Sequence, residues 1–559
     1  MSSAPPTPGT PPARRLPLAG VLRLGRPSDI WYKPALSVVA AVAPPNLTLL
    51  ALDRLDLAMY TMAGSLCALY AHNRPYAARA RALAWVVLGM LGGLGVSLVT
   101  ASLTGSAVVL VTVGALLAAA QKVLCDATRI GPPGNVILTF VSSAALFAPQ
   151  TLGQVPGHLG LAVAAGVWAW LVGMAPGLLR PHGPERRATA HALNAAAAYA
   201  VTRGTGDGHS RARAGAAAAV HAAWQSLLSA GPRNATRRDL ERLVVRAEVA
   251  LAAPADTDPE PLLARARAVR GNGPVPQAGH PAPDADELLG VDAELAAGAR
   301  PWWTRLGPLT PLAVRTALGC ALAGYASLAL GVGRPYWALV TAASLYQANI
   351  TLTWSRGVQR VVGNLVGVLL FAAVAPLAHL GGAALVLCCL AFNFGAEALI
   401  GRNYWLGSVC VTPMALLISE FAGVQEPGKL ITERVVDTLI GALVGFTAAA
   451  VVTNRRAGDR IEHALTAVER ARGSAAVLLT EPGPGRSALE AARRDLAAAL
   501  TELRITTDAA SGEWWQRALP QERVVLAERS AHRTLAATVR RQGLHLDQRE
   551  GRTTEGVRP

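Results

Sequence analysis

Apolar and polar stretches alternate along two separate parts of the chain. A helix that crosses the hydrocarbon core of a bilayer needs roughly 20 mostly apolar residues. Candidates of about that length lie in the first part at 34–52, 57–72, 82–101, 104–121, 134–150 and 159–179, and in the second part at 311–332, 336–352, 361–379, 382–400, 403–421 and 432–453. The pattern predicts an all-α polytopic membrane protein with about 12 transmembrane helices in two six-helix halves.

Polar segments separate and flank these halves. Within them, apolar residues recur at helical spacing, as in ERRATAHALNAAAAYAVT and SALEAARRDLAAALTELRITT. The first residues are rich in proline and lack the apolar core of about 7–15 residues that marks a signal peptide. The expected divisions are a disordered cytoplasmic N-terminal tail at 1–30, a first transmembrane half at 31–180, a cytoplasmic helical domain at 181–305, a second transmembrane half at 306–453 and a cytoplasmic helical C-terminal domain at 454–559.

The positions of the basic residues predict the orientation. Cytoplasmic loops of membrane proteins are enriched in arginine and lysine. If the N-terminus lies inside, the inner loops hold Arg74, Arg79, Arg81, Lys122, Arg129, Arg356 and Arg360, whereas the outer loops hold Arg54, Arg334, Lys429 and Arg434. We therefore expect a multi-pass protein of the cell membrane with both termini in the cytoplasm. The formal net charge of +16 then reflects basic residues that face anionic lipid, with no nucleic acid as partner.

Motifs for catalysis are missing from the sequence. The chain has no phosphate-binding G-x-x-x-x-G-K-[ST] loop, no H-E-x-x-H zinc motif and no G-x-S-x-G nucleophile elbow. Its six cysteines lie in or beside predicted spans and do not have the spacing of a zinc or disulfide framework. We therefore expect no enzyme, no metal site and no cofactor. If the protein moves a substrate, a gradient must drive the movement.

One segment does not fit a helix that faces lipid along its whole length. It is RPYWALVTAASLYQANITLTWSRGVQRVVGNLVG, at 334–367. Its start carries Tyr336 and Trp337, aromatic residues that are typical of a membrane interface. Further along it becomes polar at Gln347 and Asn349, and we expect these side chains to face protein or a water-filled cavity.

Further polar residues follow in the same segment and in the first half. Arg356 and Arg360 either attract an anionic substrate at the inner mouth of a pathway or act only as topology signals, and both interpretations stay open. In VAPPNLTLL, Asn46 follows two prolines inside a span, which predicts a broken helix that lines a cavity. The candidate substrate-binding residues are Tyr336, Trp337, Gln347, Asn349, Arg356, Arg360, Asn364 and Asn46.

Two carboxylates inside predicted spans are candidates for proton coupling. Glu397 lies about one turn before Arg402, and Asp437 lies three residues after Arg434. Charged groups are rare inside spans and are paired, neutral or in contact with water there. Each carboxylate therefore either forms a structural ion pair with its neighbouring arginine or exchanges a proton during transport.

The second half contains an internal repeat. RVVGNLVG from Arg360 aligns with RVVDTLIG from Arg434, and RPYW from Arg334 aligns with RNYW from Arg402. Each unit comprises three predicted spans, so two successive units have opposite orientations, as in the inverted repeats of many secondary transporters. Each unit also has two glycines four residues apart, which allow helices to approach closely: Gly363 and Gly367, and Gly441 and Gly445.

The repeated segments resemble the membrane module of the fusaric acid resistance (FUSC-like) proteins, within the aromatic acid exporter superfamily. YTMAGSLCALYAHNRPYAARARALA and PPGNVILTFVSSAALFAP in the first half are similar to the N-terminal half of that family. The family often has Pro and Thr where this chain has Ala348 and Asn364. The resemblance implies efflux of aromatic carboxylic acids or other amphipathic organic anions, driven by the proton gradient.

Two other functions are also compatible with the sequence. The wider superfamily includes plant malate channels, so the resemblance is also compatible with an anion channel. A third possibility is a membrane scaffold that transports nothing and binds a partner through its helical domains. The expected partners are a small organic anion and the lipid bilayer. The sequence is compatible with a homo-oligomer but does not determine the oligomeric state.

Overall fold

The structure is a computed structural model, and every regular element in the residues that it describes is helical. The described residues are 18–25, 27, 30–202, 207–231, 234–252, 254, 257–271, 273–276, 302–347, 349–421, 423, 425–452, 457–483, 485–511, 523, 524, 526–528, 530, 531, 533–535, 537, 538 and 541. The predicted all-α membrane architecture is therefore confirmed in this part of the chain.

The described residues contain nineteen α-helices, labelled in chain order. The first half and the segment after it contain α1 (Tyr32–Ala51), α2 (Ala58–Ser65), α3 (Tyr76–Leu103), α4 (Ala107–Ala127), α5 (Val136–Leu146), α6 (Val155–Met174), α7 (Pro176–Leu179), α8 (Gly183–Val201), α9 (Asp207–Leu228), α10 (Ala235–Ala252) and α11 (Pro259–Arg270). The remainder contains α12 (Leu306–Ala329), α13 (Tyr336–Leu345), α14 (Ile350–Ala378), α15 (Gly382–Ile400), α16 (Tyr404–Glu420), α17 (Pro427–Val451), α18 (Ala457–Thr480) and α19 (Arg486–Ser511).

Each predicted span corresponds to an apolar helix, but the helices differ in length. Eight in the described residues are long and apolar enough to cross a membrane: Tyr32–Ala51, Tyr76–Leu103, Ala107–Ala127, Leu152–Leu179, Leu309–Ala329, Ile350–Ala378, Gly382–Ile400 and Pro427–Val451. Four are shorter: Leu55–Leu69, Val136–Leu146, Tyr336–Leu345 and Tyr404–Glu420. The count of 12 spans in two halves thus stays a prediction. Each short helix is the second of three consecutive apolar helices.

The glycine pairs of the second half lie where helices touch. A Cβ added to Gly367 of α14 would lie 2.7 Å from the Thr412 Cβ of α16, and one added to Gly441 of α17 would lie 2.4 Å from the Ala338 carbonyl oxygen of α13. The long third helix of each three-helix unit therefore packs against the short second helix of the other unit.

In the first half, too, the second helix of each three-helix unit packs against the third helix of the other unit. A Cβ added to Gly64 of α2 would lie 2.2 Å from the Ala162 carbonyl oxygen of α6, and one added to Gly93 of α3 would lie 2.6 Å from the Ser142 Oγ of α5. The two halves also pack together, α1 against α15 and α4 against α12, and two clusters of buried apolar side chains each contain residues of both halves.

The prediction of a broken first helix is wrong. Helix α1 continues through Pro44 and Pro45 without interruption. Pro44 cannot donate the usual hydrogen bond to the carbonyl oxygen four residues earlier, and the indole Nε1 of Trp168 donates to that Ala40 oxygen instead, at 3.0 Å. A side chain 128 residues away thus satisfies the carbonyl group that the proline leaves without a partner.

The half-polar segment is folded differently from the prediction. Helix α13 ends at Leu345, not near 352, and the chain is non-helical at 346, 347 and 349. Asn349 caps the next helix, because its Oδ1 accepts a hydrogen bond from the Leu352 backbone N–H at 2.8 Å. Helix α14 therefore begins at Ile350, and Arg356 and Arg360 belong to this long helix instead of a loop.

The helices outside the apolar region have cores of their own. Helices α8–α11 enclose one cluster of buried apolar side chains, and α18, α19 and residues up to 535 enclose another. The two clusters meet where α9 packs against α19. Arg129, after α4, forms an exposed ion pair with Glu502 of α19 at 3.7 Å, so α19 also reaches the membrane half.

Part of the expected N-terminal tail is seated on the second half. The Val21 carbonyl oxygen accepts hydrogen bonds from Gln359 Nε2 at 2.9 Å and from Asn403 Nδ2 at 3.1 Å. The expected disorder of 1–30 therefore does not hold for residues 18–25, whereas 1–17 lie outside the described residues.

Candidate transport cavity

A cavity of about 1300 Å³ lies between the two halves. Its wall in the second half comes from the turn after α13 and from α14, α15, α16 and α17, and its wall in the first half comes from residues 69–74 and 122–140. Seven of its lining residues are basic and two are acidic, an excess of five positive charges: Arg74, Lys122, Arg129, Arg356, Arg360, Arg402 and Arg434 against Asp126 and Glu397. Such a wall attracts anions.

Two arginines of α14 converge on one tyrosine of α16. The Arg356 guanidinium lies over the Tyr404 ring, 3.2 Å from its centroid, and Arg360 Nη1 donates to the Tyr404 hydroxyl at 3.1 Å. The Nε atoms of both arginines are buried and have no hydrogen-bond partner among the described residues. Tyr404 thus positions two guanidinium groups at the cavity without neutralising either of them.

Arg434 of α17 is the most deeply buried arginine of the cavity wall. Only 1% of its surface is exposed, and its guanidinium lies over the Trp337 ring at 4.2 Å from the centroid. Its Nε and Nη1 have no hydrogen-bond partner in the described part of the chain. A buried charge of this kind is costly unless it is paired, so an anion in the cavity would supply a missing acceptor.

The expected ion pair between Arg434 and Asp437 is not formed. Asp437 is fully buried and its Oδ1 accepts a hydrogen bond from the Ser327 hydroxyl of α12 at 2.6 Å. The three-residue spacing does put both residues on one side of α17, but the arginine extends to Trp337 and the cavity while the carboxylate turns to α12. Asp437 does not line the cavity.

Glu397 of α15 does line the cavity, beside Asn393. The expected ion pair with Arg402 is absent, since no oppositely charged group lies within 4.0 Å of the Glu397 carboxylate among the described residues. The Asn393 Nδ2 donates to the Cys389 carbonyl oxygen at 2.9 Å. The cavity therefore contains one carboxylate, that of Glu397, that forms no ion pair with a lysine or an arginine among the described residues.

Comparison with known proteins identifies part of the chain. Residues 321–448 match the family model described as fusaric acid resistance protein-like. The second membrane half thus contains a segment that is similar to this family, which is called the fusaric acid resistance protein-like domain here. The family resemblance that the sequence shows is confirmed for this segment.

One curated relative also matches. It is YvaC, an uncharacterized membrane protein of Bacillus subtilis (strain 168), 30% identical over 149 residues, which are 26% of this chain and 24% of that protein. The chain therefore matches about a quarter of the length of this relative. No solved structure matches the chain.

The fusaric acid resistance protein-like domain contains most of the predicted site residues, but not all of them share the cavity. Gln347, Arg356, Arg360 and Glu397 line it. Asn364 instead ties helices together, because its Nδ2 donates to Thr438 Oγ1 of α17 at 2.9 Å while its Oδ1 accepts from Thr412 of α16. Asn349 is used as the helix cap, so neither amide is placed to contact a ligand in the cavity.

The aromatic pair of the domain and the asparagine of the first half also lie elsewhere. Tyr336 and Trp337 are buried in the core at the start of α13, not at a lipid interface, although Trp337 still acts on the cavity through Arg434. Asn46 is buried in α1, where its Oδ1 accepts from the Thr61 hydroxyl at 3.2 Å, and it does not line the cavity.

Some cavity residues were not singled out from the sequence. Tyr404 is one of them, although its place in the repeated Arg-x-Tyr-Trp motif was a usable signal. Lys122 and Asp126, an ion pair at 3.1 Å in α4, face the domain from the first half. No pattern in the sequence connects these two residues to the arginines of α14, because only the packing of the halves brings them together.

Proposed function

We propose that this protein is a cytoplasmic-membrane transporter that uses the proton gradient to export aromatic carboxylic acids or related amphipathic organic anions. The observation that carries the proposal is Arg434, a buried guanidinium at the cavity without an acidic partner among the described residues. Guanidinium groups bind carboxylates through two parallel hydrogen bonds. The ring face of Trp337 holds Arg434 and that of Tyr404 holds Arg356. Both contacts leave the hydrogen-bonding edges of the guanidinium groups for a substrate.

Glu397 is the better placed of the two carboxylates for coupling to protons. It lines the same cavity as Arg356, Arg360 and Arg434, so its charge and that of an anion bound in this cavity would act on each other. Asp437 is held by Ser327 outside the cavity. We therefore assign the exchanged proton to Glu397 and a structural role to Asp437.

The exchange of partners between units supports alternating access. In the second half, α14 packs on α16 and α17 packs on α13, each through paired glycines. Such a reciprocal arrangement is what an inverted repeat about an axis in the membrane plane would produce. Rocking one unit against the other would then expose the arginine cluster to either side.

The test of the substrate site uses purified protein in proteoliposomes. Uptake of labelled 4-hydroxybenzoate is measured with and without an imposed proton gradient, in the starting protein, in Arg434→Gln and in Lys429→Gln. Lys429 is a matched control, since it is an exposed cation of the same helix. We expect Arg434→Gln to lose gradient-driven uptake by about tenfold or more, as for the loss of a charge-assisted hydrogen bond, and Lys429→Gln to retain it.

Other outcomes decide between the remaining functions. Equal uptake by the Arg434→Gln protein would contradict the proposed site, and anion currents that ignore the proton gradient would identify a channel. In the same assay Glu397→Gln should lose gradient-driven uptake but keep exchange of labelled for unlabelled substrate. Asp437→Asn should be less stable, but it should keep both gradient-driven uptake and exchange when these are compared for equal amounts of folded protein. The opposite result for the two carboxylates would assign the coupling proton to Asp437.

A further inference from the structure

A second cavity, of about 450 Å³, lies outside the membrane region, where α9 and α10 meet α19. Its volume is within the range of about 300–1,000 Å³ that is usual for small-molecule sites. Apolar and aromatic side chains form much of its wall: Val220, Trp224, Leu228, Leu251, Leu500, Ile505 and Leu535. The cavity therefore has room for a ligand with an apolar body of moderate size. It lies between two separately packed domains, that of α8–α11 and that of α18 and α19.

Arginines surround the same cavity. Arg213 of α9 and Arg504 of α19 share the carboxylate of Glu528, at 3.9 Å and 3.5 Å. Arg493 contacts Glu248 of α10, whose other carboxylate oxygen accepts from the Trp224 indole at 3.0 Å. These acids hold the two domains together across the cavity.

The charged residues that line the cavity are mostly basic. Four are arginines and two are glutamates: Arg213, Arg493, Arg494 and Arg504, with Glu248 and Glu528. Arg493 is 4% exposed, and its Nε has no hydrogen-bond partner among the described residues. A buried hydrogen-bond donor in a mostly basic wall thus adjoins an apolar space, and this arrangement suits a small anion with an apolar body.

We propose that this interdomain cavity is a binding site for a small monoanionic carboxylate with an aromatic or branched apolar body. Its carboxylate would bind Arg493 and its neighbour Arg494, and its body would lie against Trp224 and Leu251. The site is separate from the membrane cavity. Helix α19 nevertheless connects the two sites, because it also bears Glu502, the ion-pair partner of Arg129 at the membrane cavity.

The test is a binding titration with 1-naphthoate of the purified full-length protein that carries Arg434→Gln, so that the site proposed in the membrane cavity does not contribute. Uncharged 1-naphthamide is the neutral comparison, and every further variant is made in this background. Two variants fill the space without changing charge, Ala217→Leu from α9 and Ala497→Leu from the facing α19. Arg493→Gln removes the donor, and Arg470→Gln, on the exposed side of α18, is the matched control. The thermal stability of each variant is measured alongside, so that a misfolded protein is recognised.

We expect 1-naphthoate to bind at least about tenfold more tightly than the amide. Binding should weaken about tenfold or more in the folded filling variants and in Arg493→Gln, and it should be unchanged in Arg470→Gln. Because Arg434→Gln is present throughout, this binding does not depend on the site proposed in the membrane cavity. The inference is overturned if the Arg434→Gln protein does not bind 1-naphthoate, or if the filling variants bind it unchanged.

Discussion

A close helix contact of the second half, between α17 and α13, can be tested by adding a single methyl group. In Gly441→Ala the new Cβ would lie 2.4 Å from the Ala338 carbonyl oxygen and 2.7 Å from the Thr341 Cβ, both in α13. Ordinary contacts of a Cβ begin at 3.4 Å, so α13 and α17 must separate by about 1 Å. Overpacking of this kind costs roughly 1–3 kcal/mol, more than the roughly 0.5–1 kcal/mol that alanine gains over glycine inside a helix.

A matched substitution gives the opposite expectation. Gly89 in α3 has nothing within 4 Å of the position of an added Cβ, so Gly89→Ala should raise stability through helix propensity alone. The assay is the midpoint of thermal unfolding of each purified variant in the same detergent, followed by the loss of monodisperse protein. We expect the midpoint to fall in Gly441→Ala and to rise slightly in Gly89→Ala. An equal rise in both variants would refute the close approach of α13 and α17.

Two further predictions concern orientation and pH. The first uses single cysteines in a background without the six native ones. In intact cells, cysteines near residues 205 and 480 should not react with an impermeant thiol reagent, whereas one near residue 425 should react. Reaction at 205 would show that the orientation is the reverse of the predicted one. Burial, together with the charge of Arg129, lowers the pKa of His221, so the unfolded chain binds this proton more readily than the folded one. Stability should therefore fall as the pH drops below about 6.5. The melting temperature of His221→Gln should decline less steeply with falling pH than that of the starting protein. An equal decline in both proteins would mean that the fold does not hold His221 neutral.

The helical character and the approximate limits of the apolar helices could be predicted from the sequence, because hydropathy depends on residues that are adjacent in the chain. The end of α13 could not. Leu345 is followed by residues that suit a helix as well as a turn, and the break depends on Asn349 capping α14. Likewise, the bond from Trp168 that keeps α1 continuous at Pro44 joins distant parts of the sequence.

The site could be predicted only in part for a related reason. Arg356 and Arg360 were recognisable as charged residues beside an apolar run, and the cavity contains both. The spacing of Arg434 and Asp437 predicts an ion pair between them, but spacing along one helix does not reveal that the flexible arginine side chain contacts an aromatic ring on another helix. Long arginine side chains reach across helices, so their contacts depend on tertiary packing.

The shortness of α13 has a consequence for the membrane voltage. Ten helical residues extend about 15 Å, roughly half of the hydrocarbon core of a bilayer. The cavity reaches Ser344 and Gln347 at the end of this helix. In the proposed transporter, the polar region would therefore extend well into the bilayer and leave a thin insulating layer beyond it. A potential of 100 mV does about 2.3 kcal/mol of work on one elementary charge. We expect most of that work to fall on the proposed step in which the charge passes Arg434, so this step should be steeply voltage-dependent.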